Sequence, residues 1–111
     1  MAEKLIAEFQ QYLRVERQYS SATLKAYTDD LLLFIKFLKE NGGLASLTAV
    51  RRMDVHVFMR FLYDQHYHAS SIERIISSLR SFYRFLQKNG QIVDNPFSYV
   101  QLKRNPRPLP R

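Results

Sequence analysis

Cysteine is absent from the 111 residues. That excludes a disulfide framework and any thiolate chemistry, and it permits a reducing compartment. No stretch approaches the roughly 20 apolar residues of a membrane span, and no signal-peptide pattern opens the chain. The expected location is therefore the cytoplasm. Chemistry-bearing patterns are missing too: there is no glycine-rich phosphate loop and no Ser/His/Asp arrangement. His66, Tyr67 and His68 have no carboxylate or cysteine cluster beside them, so they read as a plain loop rather than a metal site. Asp29 and Asp30 are chain neighbours on a helix and point to different faces, which rules them out as an acid/base pair. No active site and no cofactor is expected in these residues. The length suits one domain with a modest core.

Acidic residues run short in one half only. Residues 1–50 hold six Lys/Arg and six Asp/Glu, whereas residues 51–111 hold eleven and four. The whole formal charge of +7 thus lies in the second half. Such asymmetry points to a polyanionic partner, nucleic acid first and a membrane surface second.

Apolar spacing predicts helices throughout. From Glu3 to about Arg17, Leu5, Ile6, Phe9, Tyr12 and Leu13 recur at helical intervals. Ser20 or Ser21 in "QYSSAT" is placed to cap a second helix running to about Asn41. Its stripe is Leu24, Tyr27, Leu31, Phe34, Ile35 and Leu38, and "NGG" at 41–43 is a stop signal. Asp54 is expected to cap a third helix bearing Val55, Phe58, Phe61 and Leu62. Ser70 and Glu73 have capping-box spacing at the start of a fourth. On that helix Ile72, Ile75, Ile76, Leu79, Phe82, Tyr83 and Leu86 share one side. Arg74, Ser77, Ser78, Ser81, Arg84 and Lys88 fall opposite, with only Phe85 intruding. Asn95 then caps a short turn of helix with Pro96 at its first position. Residues 1–101 read as the domain, and 102–111, "LKRNPRPLPR", as a basic, extended linker.

The fourth helix carries the sharpest functional signal. A helix entering a DNA major groove needs a slim face with donors for phosphates and base edges. Ser77, Ser78 and Ser81 keep this face slim, and Arg74, Arg84 and Lys88 charge its ends. The plainer reading is a solvated face, although serine is a poor choice for a helix surface. The second helix offers a smaller face of Lys25, Asp29 and Lys36, with Thr23 near its start. Ser20, Ser21 and Thr23 either cap that helix or hold a phosphate at its N-terminus. Arg80 has two readings, a contact to DNA or a pair with Asp30 across the helix interface.

Taken together, "YSSATLKAYTDDLLLFIKFL", "SSIERIISSLRSFYRFL" and "NP…LKRNPRPLP" resemble the N-terminal core-binding domain of Xer-type tyrosine recombinases, relatives of phage integrases. The likeness runs over essentially the whole chain. It implies an all-α fold, a SAM-like orthogonal bundle of four main helices plus a short C-terminal helix. It also implies one half of a C-shaped clamp on double-stranded DNA, with the second and fourth helices at the major groove of a recombination half-site. Carried over by position, Thr23, Lys25 and Asp29 lie on the DNA side of the second helix, and Arg74, Ser77, Ser78 and Ser81 do so on the fourth. With Ser21, Arg80, Arg84 and Lys88 from the residue patterns above, these make up the expected DNA contacts.

The same resemblance implies that the first and last helices meet other protomers in a DNA-bound tetramer. DNA breaking and rejoining would fall to a separate C-terminal domain that works without metal or nucleotide cofactor. Relatives often carry two basic residues after the tyrosine matching Tyr27, where this chain has Thr28 and Asp29. That departure bears on which site is preferred. Two other classes stay open: a stand-alone helical DNA-binding regulator, and a SAM-like protein-interaction module.

Overall fold

The computed structural model describes residues 2–41 and 47–100. Four helices make up the framework: α1 (Ala2–Val15), α2 (Ser21–Glu40), α3 (Arg52–Asp64) and α4 (Ala69–Lys88). A single 3-10 turn, Leu47–Ala49, precedes α3, and no strand occurs among the described residues. The fold is all-α, as its periodicity foretold. No helix among the described residues is long and apolar enough to cross a membrane.

The helix ends follow local chemistry, with two departures from expectation. Ser20 caps α2, its Oγ accepting the Thr23 amide at 3.2 Å. The start of α3 is Arg51, so Asp54 sits one turn inside and accepts the Arg51 amide at 2.9 Å. It thus supplies the returning half of a capping box instead of the cap. The cap of α4 is His68, without a side-chain bond, which places Ser70 inside the first turn instead of at the cap. Helix α1 ends at Val15, and the turn after it passes through Gln18, a non-glycine residue in the left-handed region with φ 53°, from which the Tyr19 amide reaches back to the Leu13 carbonyl at 3.0 Å. This closing turn sets Tyr19 against Tyr27, ring centroids 5.6 Å apart. The "NGG" stop lies partly outside the described residues, and the basic 102–111 segment lies wholly outside them.

Helix α4 is the central rod. It packs against α2 and α3, and nine of its twenty residues are buried. That burial covers about half of its circumference, wider than one neighbour would require. Phe85 explains the extra width. It is buried and meets Phe9 and Tyr12 of α1 at 5.4 and 5.0 Å. The intruder on the polar side is therefore where α1 crosses α4.

On the other side of α4 the core is a knot of rings. Phe34 meets Phe58 edge-on at 4.9 Å and Phe97 at 5.4 Å, while Tyr83 stacks on Phe97 at 5.3 Å. Such tilted and edge contacts add to the area buried by large side chains. The Tyr83 hydroxyl donates to the Leu47 carbonyl at 2.8 Å, and burial pushes its pKa well above the ordinary phenol value, so it stays a donor.

The expected fifth helix takes the form of successive turns over 96–99. Asn95 keeps its capping role there, since its Oδ1 accepts the Phe97 amide at 2.9 Å. Its Nδ2 also donates to the Arg80 carbonyl at 3.1 Å. Arg80 returns the tie, with Nε on the Phe97 carbonyl at 3.2 Å and Nη2 on the Val100 carbonyl at 3.1 Å. The turn is thereby latched to α4 with Phe97 fully inside.

Candidate nucleic-acid interface

The exposed side of α4 is a ridge. Arg74, Ser77, Ser81, Arg84 and Lys88 follow one another at intervals of three or four, which keeps them in one line along the helix. None of these five is buried. Beside the middle of the ridge lies an open cleft of about 240 Å³ lined by Arg17, Tyr19, Tyr27, Ser77, Arg80, Ser81 and Arg84. Three arginines, two phenols and two serines supply donors, and no carboxylate lines the cleft. That composition suits an anion such as a phosphate.

The arginines and phenols of the cleft differ in how they are held. Arg17 donates from Nη2 to the Tyr19 hydroxyl at 2.8 Å. Its pKa is raised further by hydrogen bonding to Tyr12 and by the neighbouring phenols, so it stays a cation. Burial, then the hydrogen bond with Tyr19, raises the pKa of Tyr27, which stays a neutral phenol. Arg80 is fixed by the latch to the 95–100 turn. Arg84 is exposed and makes no side-chain hydrogen bond or ion pair among the described residues. Arg17, Tyr19 and Tyr27 were not among the residues singled out as DNA contacts. Only the left-handed turn at Gln18 brings the first two to the ridge, and no glycine marked it.

Two further expectations change. Asp30 does not pair with Arg80. Its buried carboxylate accepts from Arg74, Nη2 to Oδ1 at 2.9 Å and Nε to Oδ2 at 3.4 Å. Arg80 is too committed to the 95–100 carbonyls to serve it. Ser78 is the second correction. It is 4% exposed, and its hydroxyl donates to Asp30 Oδ2 at 2.7 Å. It therefore belongs to the α2–α4 interface and not to the ridge. The cause is visible on the helix, because Ser78 shares the flank of Phe85 that neighbouring helices cover.

On α2 the expected face is quieter. Lys25 and Asp29 hold each other at 2.9 Å on the exposed surface, and that bond raises the Lys25 pKa. Thr28 turns the other way, accepting from Gln10 of α1 at 2.9 Å and donating to the Leu24 carbonyl. Thr23 and Ser20 share a hydroxyl contact at 3.0 Å, while Ser21 is exposed in the first turn. Capping thus occupies Ser20. Lys88 leans over the Tyr12 ring at 5.9 Å. Among the described residues no group of three or more His, Cys, Asp or Glu is placed to hold a metal ion.

Residues 6–90 match the phage integrase N-terminal SAM-like domain. The chain is 50% identical over 107 residues to the tyrosine recombinase XerC of Pediococcus pentosaceus, covering 96% of this chain and 36% of that protein. It is 47% identical over 108 residues to the tyrosine recombinase XerC of Lacticaseibacillus casei, covering 97% of this chain and 36% of the relative. The corresponding protein of Oceanobacillus iheyensis is 40% identical over 108 residues, 97% and 35% of the two chains. The chain therefore spans little more than a third of the length of these relatives. No solved structure shows a significant match.

Proposed function

Because the chain belongs to the phage integrase N-terminal SAM-like domain family, we propose that it is the DNA-holding half of a site-specific tyrosine recombinase. The single observation that carries this reading is the arginine-lined cleft on the exposed ridge of α4. A slim helical ridge about 20 Å long, between Arg74 and Lys88, suits a major groove roughly 12 Å wide. Phosphates of the flanking strand would sit in the cleft against Arg17 and Arg84, with Arg80 bracing it from within. Ser77 and Ser81 keep the backbone of α4 close to the base edges. On α2, Ser21, Thr23 and Lys25 would add contacts at the neighbouring strand.

Cleavage and rejoining of DNA would be the work of the longer protein, through a domain these residues do not contain. The relatives' recombinase names support that assignment. In this reading, the partners are double-stranded DNA and further recombinase protomers assembled on it as a tetramer. Chromosome dimer resolution, with its consequences for chromosome partition and cell division in the cytoplasm, is the role it serves. Thr28 and Asp29 stand where relatives often carry two basic residues, which would shift some of the holding charge from α2 to α4.

The test is duplex binding as a function of salt. Log K is expected to fall linearly with log salt, by about 0.9 for each phosphate neutralised. Arg84→Ala should weaken binding and make that slope shallower by close to one contact. Binding indifferent to salt, or none to duplex DNA, would favour a protein-interaction module instead.

A further inference from the structure

Arg74 and the cleft arginines are both cationic, but their surroundings differ. The cleft has no acid in its walls. Arg74 lies against the buried carboxylate of Asp30, whose side chain is only 3% exposed while that of Arg74 is 58% exposed. The pair is close to neutral, so Arg74 adds little net attraction for a polyanion. Its hydrogen-bond donors survive the pairing. A guanidinium has five N–H groups in a rigid plane, and Asp30 takes Nε and one hydrogen of Nη2. The outer edge, formed by Nη1 and the second Nη2 hydrogen, is left facing away from the carboxylate.

Asp30 in turn has no freedom of its own. It is held from the other side by the buried Ser78 hydroxyl at 2.7 Å. A flexible arginine loses rotamer freedom when it binds, whereas this one is oriented beforehand. A fixed plane and an open two-donor edge suit base reading. The near-neutral charge makes the same group a weak electrostatic contact for phosphate.

We infer that Arg74 is the specificity-determining residue of the α4 ridge, presenting a two-donor edge to the paired acceptors of a guanine, and that Asp30 is its positioning residue. The inference rests on the DNA-holding reading above and adds the base class that one position selects. Guanine is the base whose major-groove edge offers two adjacent acceptors, O6 and N7.

The experiment is selection of this chain on a pool of randomised double-stranded oligonucleotides, followed by measured affinities for the recovered duplexes. The unaltered chain should enrich a guanine at one position. Arg74→Ala and Asp30→Asn should each abolish that preference, with about a 10- to 100-fold loss of discrimination there. Both should keep the other enriched positions, and neither should make the salt slope shallower; Asp30→Asn, which frees the Arg74 charge, should if anything steepen it. Arg74→Ala made in the Asp30→Asn background should add nothing further. Ser78→Ala, which removes a bond to Asp30 but leaves the ion pair, should retain the guanine and controls for a general loosening of the helix pair. Retention of the guanine by either Arg74→Ala or Asp30→Asn would overturn the inference. A uniform loss across all sequences with a shallower salt slope would also overturn it, marking Arg74 as a phosphate contact. If the unaltered chain recovers no duplex at all, the DNA-holding reading itself fails.

Discussion

Asp29 and Asp30 are neighbours in the chain, and each holds a cation at 2.9 Å, yet the two pairs do different work. The Asp29 carboxylate is 56% exposed and its partner Lys25 76% exposed, one turn away on the same helix. Water screens that pair, and holding two long side chains in one geometry costs entropy, so it contributes little to stability. The Asp30 side chain is 3% exposed, and its partners, Arg74 and Ser78, come from a helix more than forty residues away in sequence. Removing one side of that cluster strands a buried polar group. A rotation of one residue along α2 separates a surface ornament from a tie between two helices.

Asp30→Ala should break the comparison most severely. It leaves the Ser78 hydroxyl buried without its acceptor, and unfolding is expected to become easier by about 2–3 kcal/mol. In thermal melts that corresponds to a fall of roughly 10 °C or more for a domain of this size. A melting temperature within a degree or so of the unaltered chain would mean the cluster is as inconsequential as the surface pair.

Arg80→Ala sharpens the contrast with a cation that braces instead of pairing. The Phe97 and Val100 carbonyls lose their donor. The expected cost is about 1–2 kcal/mol, read as a lower urea midpoint with an unchanged slope. An unaltered midpoint would show that the latch on the 95–100 turn is dispensable.

Asp29→Asn is the mild extreme. The melting temperature should not move, since only a screened surface pair is lost. Lys25, released from its partner, should strengthen duplex binding a few-fold at low salt, with the gain fading as salt rises. Unchanged affinity at every salt concentration would place the Lys25 face of α2 away from DNA.

The same contrast explains how much of the molecule was legible beforehand. The stripes of α2 and α4 were readable because a 3.6-residue period puts Leu31, Phe34 and Leu38, or Ile72, Ile76 and Tyr83, on one side whatever covers them. Ser77, Ser81 and Arg84 were readable as a surface ridge for the same reason. Flank positions were not. Ser78 and Phe85 lie at the border of the α4 stripe, where burial depends on which helix crosses there. Phe85 was the available clue, because an aromatic ring stranded on a polar face announces a second neighbour. The donor that Asp30 would receive was equally hidden. Arg74 and Arg80 lie on different flanks of α4, and the sequence does not say which flank α2 approaches.

What the chain's order of residues decided alone was helix content, the direction of each main stripe, and a surplus of positive charge confined to the second half. These are local or additive properties, fixed by backbone geometry and by counting charges. What the tertiary structure decided was partnership: Arg74 with Asp30, Arg80 with the 95–100 carbonyls, and Arg17 and Tyr19 brought to the α4 ridge by a left-handed residue that is not glycine. Partnership depends on crossing geometry between elements distant in sequence, and one residue's rotation about a helix axis is enough to change it.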